Sequence, residues 1–396
     1  MQSSYDLYLL VKSLTKAEKR HFKLQSSLQK GKKDYMVLFD TLDSLSLKED
    51  TASNYDEEVL RGKIKDKLNL KHLHVTKNYL ATQVLKSLRT LREESDTESK
   101  LNKMVSEIKV LADKGTYRLL SQKLKSAKNL ALQYEKYNVL IDLLNFETVL
   151  CVRHKEFKIN EVLEKLYDDI FKYLDLMKME TAYKAVQNEV TTIYRKNIRA
   201  RNEKSTAKIQ ILENNPLLKT TKQPPTFLSK VSYNYSKALL FQLNGNLSQA
   251  IKFHKEVQDI WIGYPHFKKE YPMLYMIYSS NYLVGAHLLR DYSVFPTVLD
   301  NLTSLPKRNY NEEAEAFQNI CYLEQLYFMN KVIFNNKLNT TDVASSLAKK
   351  IETGLDKYHS RIVKSRQMSF CINSSIMFFA LNMFDESLAW MAKIHQ

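Results

Sequence analysis

The sequence is poor in the residues that break helices. It contains seven glycines and seven prolines among 396 residues, whereas average usage would give roughly 48 of the two together. No proline occurs before Pro216. Because tight turns and strand connections depend on these two residues, their scarcity disfavours an architecture of strands and turns and permits long uninterrupted helices.

Cysteine pairs and long apolar runs are also missing. The three cysteines, Cys151, Cys321 and Cys371, lie far apart, which indicates neither a disulfide framework nor a cysteine-based zinc site. No run of about 18 apolar residues is present, and no small-residue cleavage site follows the short apolar run at the start. We therefore expect reduced thiols, no membrane association and a cytoplasmic location.

Motifs of enzymatic chemistry are not recognisable either. The sequence has no glycine-rich phosphate loop, no HExxH, no GxSxG and no paired zinc motif. Neighbouring carboxylates such as Asp168 and Asp169 diverge on a helix surface, so nothing in their spacing suggests acid–base work. We therefore expect a protein that is not an enzyme and that carries no metal and no cofactor.

Apolar residues recur at helical spacing along almost the whole chain, which predicts an all-α fold. Thr15 and Glu18 have the spacing of a capping box, which predicts a helix start after Thr15. The predicted helices lie near 2–13, 16–28, 33–45, 56–67, 71–93, 98–113, 117–134, 137–153, 160–177, 178–200, 203–213, 227–244, 247–261, 270–289, 292–303, 311–335, 341–358, 362–382 and 384–396.

Two breaks in composition suggest the domain organisation. Residues 92–100 are polar, which fits either a boundary between modules or one continuous exposed helix. Pro216, Pro224 and Pro225 forbid a continuous helix between residues 213 and 227. These breaks divide the chain into a basic helical module at 1–95, helical hairpins at 96–213, a proline-containing linker or loop at 214–226 and helical repeats at 227–396.

One stretch, LNGNLSQAIKFHKEV, resembles the turn and second helix of a tetratricopeptide repeat. Gly245 and Asn246 stand at the turn, and Ala250 occupies the position of the small residue that packs into the first helix. In the preceding helix, Ala238 and Phe241 match the small residue and the aromatic residue of that family. The resemblance implies antiparallel helical hairpins that stack into a solenoid.

The same pattern recurs further along the chain. Arg290 and Asp291 stand at one similar turn, and Asn382 and Met383 at another. The interval from Gly245 to Arg290 is 45 residues, and the next is close to twice that. We therefore read residues 227–396, and 98–213 as well, as elongated repeats of a TPR-like α-solenoid, which implies a scaffold for binding a protein or peptide.

A tyrosine cluster could supply the binding surface. Tyr271, Tyr275, Tyr278 and Tyr282 step by four, three and four residues, which places them in one stripe along a helix. Such a stripe either packs in the core between repeats or lies on a concave surface as anchors for a partner. The second alternative makes these tyrosines the candidate partner-binding residues.

Net charge supports a second hypothesis. The sequence has a formal charge of +16, which favours acidic partners such as nucleic acid, although scattered lysines are also typical of solvated helix faces. Residues 56–93 resemble a helix-turn-helix in outline, so the chain could be a nucleic-acid-associated regulator with a TPR-like sensor or dimerisation arm. The candidate phosphate-binding residues are Lys71, Lys77, Lys86, Arg89, Arg195, Lys196, Arg199 and Arg201.

The last segment, FDESLAWMAKIHQ, is amphipathic, and no capping sequence follows it. Its apolar residues include Leu388, Trp390, Met391 and Ile394. A terminal repeat without a polar outer face leaves an apolar side uncovered. We therefore expect exposed apolar surface around Trp390 and Ile394, which would be covered by a second copy, by another partner or by residues outside this chain.

Overall fold

The structure is a computed structural model that describes residues 4–28, 33–45, 57–92, 96–153, 159–197, 203–220, 222–307, 309–335 and 341–395. Within these ranges all regular secondary structure is helical and no strand occurs. The predicted all-α class is confirmed. Every helix in the described part of the chain is too short or too polar to cross a lipid bilayer.

The chain divides into two compact units, Met1–Glu107 and Ile108–Gln396. Sequence analysis placed the end of the first module at residue 95, a little before this boundary. The first unit contains α1 (Ser4–Ser13), α2 (Lys16–Ser27), α3 (Asp34–Ser44), α4 (Glu57–Ile64) and α5 (Leu73–Arg92), and the boundary falls within α6 (Thr97–Asp113).

α5 is the central helix of the first unit because it packs against α1, α2 and α3. α4 packs against α3. The rings of Phe22 and Phe39 meet in its core with their centroids 4.6 Å apart. The predicted capping box at the start of α2 is confirmed: the Glu18 N–H donates to the Thr15 hydroxyl, and the Thr15 N–H donates to the Glu18 carboxylate.

The second unit contains fourteen complete helices in its described residues, and most begin and end close to the predicted positions. The short helices α11 and α14 were not predicted, and in α9 one helix of 39 residues replaces the two that were predicted to meet near residue 178. No glycine or proline interrupts that segment, so nothing local ends the helix. The helices are α7 (Tyr117–Gln133), α8 (Tyr137–Arg153), α9 (Ile159–Asn197), α10 (Glu203–Glu213), α11 (Pro216–Lys219), α12 (Phe227–Leu243), α13 (Leu247–Gly263), α14 (His266–Glu270), α15 (Pro272–Leu288), α16 (Phe295–Thr303), α17 (Tyr310–Asn335), α18 (Thr341–Tyr358), α19 (Lys364–Ala380) and α20 (Phe384–Ala392).

The longer helices of this unit pack in a chain of neighbours. α8 packs on α9, α9 on α12, α12 on α13, α13 on α15, α15 on α17, α17 on α19, and α19 on α20. One core cluster extends from α9 to α17, and a second joins α17, α18, α19 and α20. Every helix of this series except α20 therefore packs against at least two other α-helices.

The same turn recurs at five helix ends. The residue at its centre has a left-handed backbone, with φ between 51° and 76°. In each case its N–H donates to the carbonyl three residues back, and the N–H of the following residue donates to the carbonyl four residues before the central residue. This Schellman pattern satisfies carbonyls that the helix end leaves without partners. The central residues are Gly115, Glu135, Gly245, Arg290 and Asn382, which confirms the three predicted turns.

The proline-containing segment is part of the second unit. Asn215 caps α11, Pro216 occupies its first turn, and Leu218 is buried in the larger core cluster. Thr226 is fully buried and caps α12 through Ser229. The described residues at both ends of 214–226 are therefore packed within the second unit.

Candidate functional site

The predicted tyrosine stripe lies in the core of the second unit. Tyr271 is half-buried at the start of α15, and the other three tyrosines, Tyr275, Tyr278 and Tyr282, are buried. The rings of Tyr275 and Tyr278 lie 5.2 and 6.4 Å from the Trp261 ring. The expectation of exposed anchors is therefore wrong for these three, because α13 and neighbouring helices cover the face on which they lie.

The prediction that Trp390 and Ile394 are exposed is also wrong. Trp390 is only 6% exposed and belongs to the core cluster of α17 to α20, and Ile394 packs half-buried against that cluster. α20 approaches α19 closely through Ser375 and Ser387, whose hydroxyl oxygens are 3.0 Å apart. This contact turns Trp390 inward and leaves Leu388 facing outward, 64% exposed.

Apolar side chains cover the outward face of both helices. Phe379 near the end of α19 and Phe384 at the start of α20 are both more than half exposed, and their rings meet with centroids 5.6 Å apart. These rings join the apolar residues of the two helices. We call the whole set the α19–α20 face, and it consists of Met368, Ile372, Ile376, Phe379, Phe384, Leu388 and Met391.

Charged residues of opposite sign lie at the two ends of the α19–α20 face. Lys364 begins α19, and Arg361 precedes it. Asp385 and Glu386 lie in the first turn of α20. All four side chains are exposed. Because the turn at Asn382 makes the helices antiparallel, the acidic residues lie near the end of α19 and the basic residues near its start.

A second notable site is a buried polar cluster at the start of α12. The Glu135 carboxylate accepts the Phe227 N–H at 2.8 Å, across 92 residues of sequence. Burial raises the pKa of Glu135 to about 7, the nearby Glu180 adds to the rise, and the Phe227 hydrogen bond and Lys230 oppose it. Burial also raises the pKa of Glu180. The cluster therefore holds a carboxyl group that titrates near neutral pH.

A buried ion pair continues this cluster. Lys136 Nζ lies 2.7 Å from a Glu270 oxygen, and the two side chains are 13% and 6% exposed. Lys136 also donates to the Tyr271 hydroxyl at 3.1 Å. Burial lowers the pKa of Lys136, but the hydrogen bonds to Glu270 and Tyr271 outweigh burial and the net change is upward. The pair ties the turn before α8 to α14.

The basic candidates of the first unit differ in their surroundings. Lys77 is held internally, because its Nζ lies 2.6 Å from Glu57 Oε1 and 2.6 Å from the Ser4 hydroxyl. Lys71, Lys86 and Arg89 are exposed. Eight residues separate α4 from α5, whereas the turn of a helix-turn-helix has three or four. The structure thus departs from that motif and removes Lys77 from the exposed set.

The second basic stretch lies only partly within the described residues. Arg195 and Lys196 are exposed in the last turn of α9, where cations complement the helix dipole. Arg199 and Arg201 lie outside the described residues.

In the part of the chain that the structure describes, neither potential metal ligands nor thiols form an arranged site. No group of three or more His, Cys, Asp or Glu side chains there is placed to hold a metal ion. Cys151, Cys321 and Cys371 are buried free thiols, as the sequence predicted, and burial raises the pKa of each.

Sequence reasoning missed both the α19 part of the face and the polar cluster. α19 carries apolar residues on almost every side, which is typical of a helix with neighbours all round, so the exposure of Ile372 and Ile376 conflicts with its composition. From its composition α19 is expected to be buried, so no signal in the sequence marked its exposed side. Glu135, Glu180 and Phe227 are brought together from 45 to 92 residues apart, and no local pattern marks them.

Comparison of the chain with protein-family models, with curated proteins and with solved structures gave no match. The class that the fold defines is an all-α protein with two compact units.

Proposed function

We propose that this chain is a non-catalytic α-helical scaffold that binds another protein chain through the α19–α20 face. The observation that carries the proposal is the exposure of seven large apolar side chains on two adjoining helices. Together they expose on the order of 600 Å², which is the upper end of the largest apolar patch on a typical monomer. A patch of this size is typical of a protein-binding surface.

The recurring turns support a repeat scaffold behind this face. Gly245, Arg290 and Asn382 end helices in the same way, and the paired helices α12–α13, α15–α16 and α19–α20 pack together across these turns. In this proposal the hairpins stack as TPR-like units, and the α19–α20 hairpin has an outer side that the other described helices leave exposed.

A photo-crosslinking residue at position 388 tests the binding surface in the cell that makes the protein. Leu388 lies on the face, and exposed Lys349 on α18 provides a control position. We expect a specific protein adduct from position 388 that is absent from position 349. Equal labelling from both positions, or none from either, would contradict the proposal.

The nucleic-acid-associated regulator remains the second candidate because of the exposed lysines around the end of α4. Lys63, Lys65, Lys67 and Lys71 are all exposed. A cluster of this kind binds phosphates without sequence preference, and its affinity falls steeply with salt. Titration of the purified chain with duplex DNA and RNA at several salt concentrations tests this second function.

A further inference from the structure

The spacing of the exposed residues of α19 is symmetric about Ile372. Ser365, Met368, Ile372, Ile376 and Phe379 are all exposed, and they are separated by three, four, four and three residues. At 100° per residue they occupy one narrow arc of the helix. Positions four and seven residues on either side of Ile372 therefore lie on the same face, and both directions place exposed side chains there.

A stripe of this kind can pack against a second copy of itself. In an antiparallel pair centred on Ile372, Met368 of one copy lies beside Ile376 of the other, and the end of each stripe meets the start of its counterpart. A two-fold axis requires such self-complementarity, because each contact must occur twice. The spacing of α19 meets this requirement without gaps.

Charge at the ends of the face favours the same arrangement. Lys364 lies about 12 Å from Ile372 along the helix, and the turn before α20 lies a similar distance on the other side, at 1.5 Å per residue. The antiparallel pair therefore brings the end of the face that carries Arg361 and Lys364 on one copy towards the end that carries Asp385 and Glu386 on the other. A parallel pair would instead place like charges together, which disfavours it.

We propose that the α19–α20 face is the interface of a symmetric homodimer, with α19 antiparallel to α19 of the second copy and the two-fold axis at Ile372. The inference rests on the proposed function, since it names the protein that the face binds. Each copy supplies on the order of 600 Å², close to the ~800 Å² that one partner contributes to an interface of standard size. α20 widens the contact through Leu388 and Met391.

Sedimentation velocity of the purified full chain tests the dimer. Phe379→Glu and Leu388→Glu place charges on the face, and both side chains are more than 60% exposed, so each variant should fold with an unchanged helical circular dichroism spectrum. We expect dissociation constants raised by roughly thirtyfold or more. Phe171→Glu on α9 is the matched control, because Phe171 is 62% exposed and lies outside the face. It should leave the dimer intact.

Charge reversal tests the orientation. One variant carries Arg361→Glu and Lys364→Glu, and another carries Asp385→Lys and Glu386→Lys. Each alone should weaken self-association by about tenfold, since like charges then meet at both ends. An equimolar mixture of the two should associate as tightly as the natural chain, because every end contact is again between opposite charges. Weak association of the mixture would overturn the antiparallel arrangement.

The outcomes separate this inference from the proposed function. A chain that stays monomeric in sedimentation, or a dimer that Phe379→Glu and Leu388→Glu leave intact, overturns the homodimer. If position 388 then crosslinks to a different protein, the face still binds a partner and the proposed function stands. If position 388 gives no specific adduct, both proposals fail. An adduct of twice the chain mass, lost with Phe379→Glu, supports both.

Discussion

Gly354 in α18 lies so close to Phe317 in α17 that a β-carbon at position 354 would be 2.0 Å from Phe317 Cε2. The Phe317 ring is confined by Tyr358 and Phe370, with centroids 5.4 and 5.9 Å away. Phe370 is fully buried, so the ring has little room to withdraw. The absence of a side chain at 354 therefore permits the close approach of α17 and α18.

We expect Gly354→Ala to lower the free energy of unfolding by about 1–3 kcal/mol, because the added methyl group overpacks this contact. Urea denaturation followed by circular dichroism measures the change. Gly263→Ala is the matched control: it lies in the last turn of α13 with no atom near its β-carbon position, and should be neutral or slightly stabilising. Equal effects of the two substitutions would contradict the close contact.

Glu135 should make stability depend on pH. Its pKa is about 7 in the folded chain and 4.5 in the ordinary case, so the folded state binds the proton more tightly. The contribution of this group is therefore largest below pH 4.5 and decreases as pH rises to about 7. Glu135→Gln keeps an acceptor for the Phe227 N–H and removes the charge.

We expect Glu135→Gln to raise the melting temperature at pH 8 relative to the natural chain and to have little effect at pH 4.5. The comparison at each pH cancels the groups that titrate in both proteins. Glu180 shares the cluster and could shift the midpoint of the change. A constant difference between the two proteins from pH 4.5 to 8 would show that Glu135 titrates normally.

Lys136 and Glu270 form a buried pair, so removal of one partner should cost more than removal of both. Lys136→Met leaves the Glu270 carboxylate without its ammonium partner, and we expect a loss of about 3–5 kcal/mol. Lys136→Met with Glu270→Leu should recover most of that loss. A double-mutant cycle in urea measures the coupling, and additive losses would indicate a solvated pair.

Ala250 is buried on α13, at the position where the sequence predicts a close helix contact. We expect Ala250→Leu to lower the free energy of unfolding by about 1–3 kcal/mol through overpacking. Ala185 is exposed on α9, and Ala185→Leu should change stability by less than about 0.5 kcal/mol. Similar melting curves for the two variants would mean that the packing around Ala250 is loose.

If the first unit binds nucleic acid, Lys86 and Lys77 should differ in their effects. Lys86 is exposed, so Lys86→Ala should lower the slope of log affinity against log salt by about one. Lys77 is paired with Glu57, so Lys77→Ala should mainly lower stability. A salt slope near zero for the natural chain would remove this function, and equal slope changes would contradict the internal pairing of Lys77.

The helical class, most helix bounds and three of the five Schellman turns follow from the amino-acid sequence alone. These are local properties: the scarcity of glycine and proline, a period of 3.6 residues and capping residues such as Thr15 act within a few positions of each other. The turn at Gly245 could be located for the same reason. α9 was divided in error near residue 178 although no residue there interrupts a helix.

Which helix faces are buried depends on how the helices pack against one another. The spacing of Tyr275, Tyr278 and Tyr282 places them on one face of α15. That face is part of the core because other helices pack against it. Trp390 and Leu388 are both apolar residues of α20. Trp390 is buried and Leu388 is exposed because α19 and its neighbours cover only the side of α20 on which Trp390 lies. The meeting of Glu135 with Phe227 depends on contacts across 92 residues, and periodicity along one helix carries no information about contacts between helices.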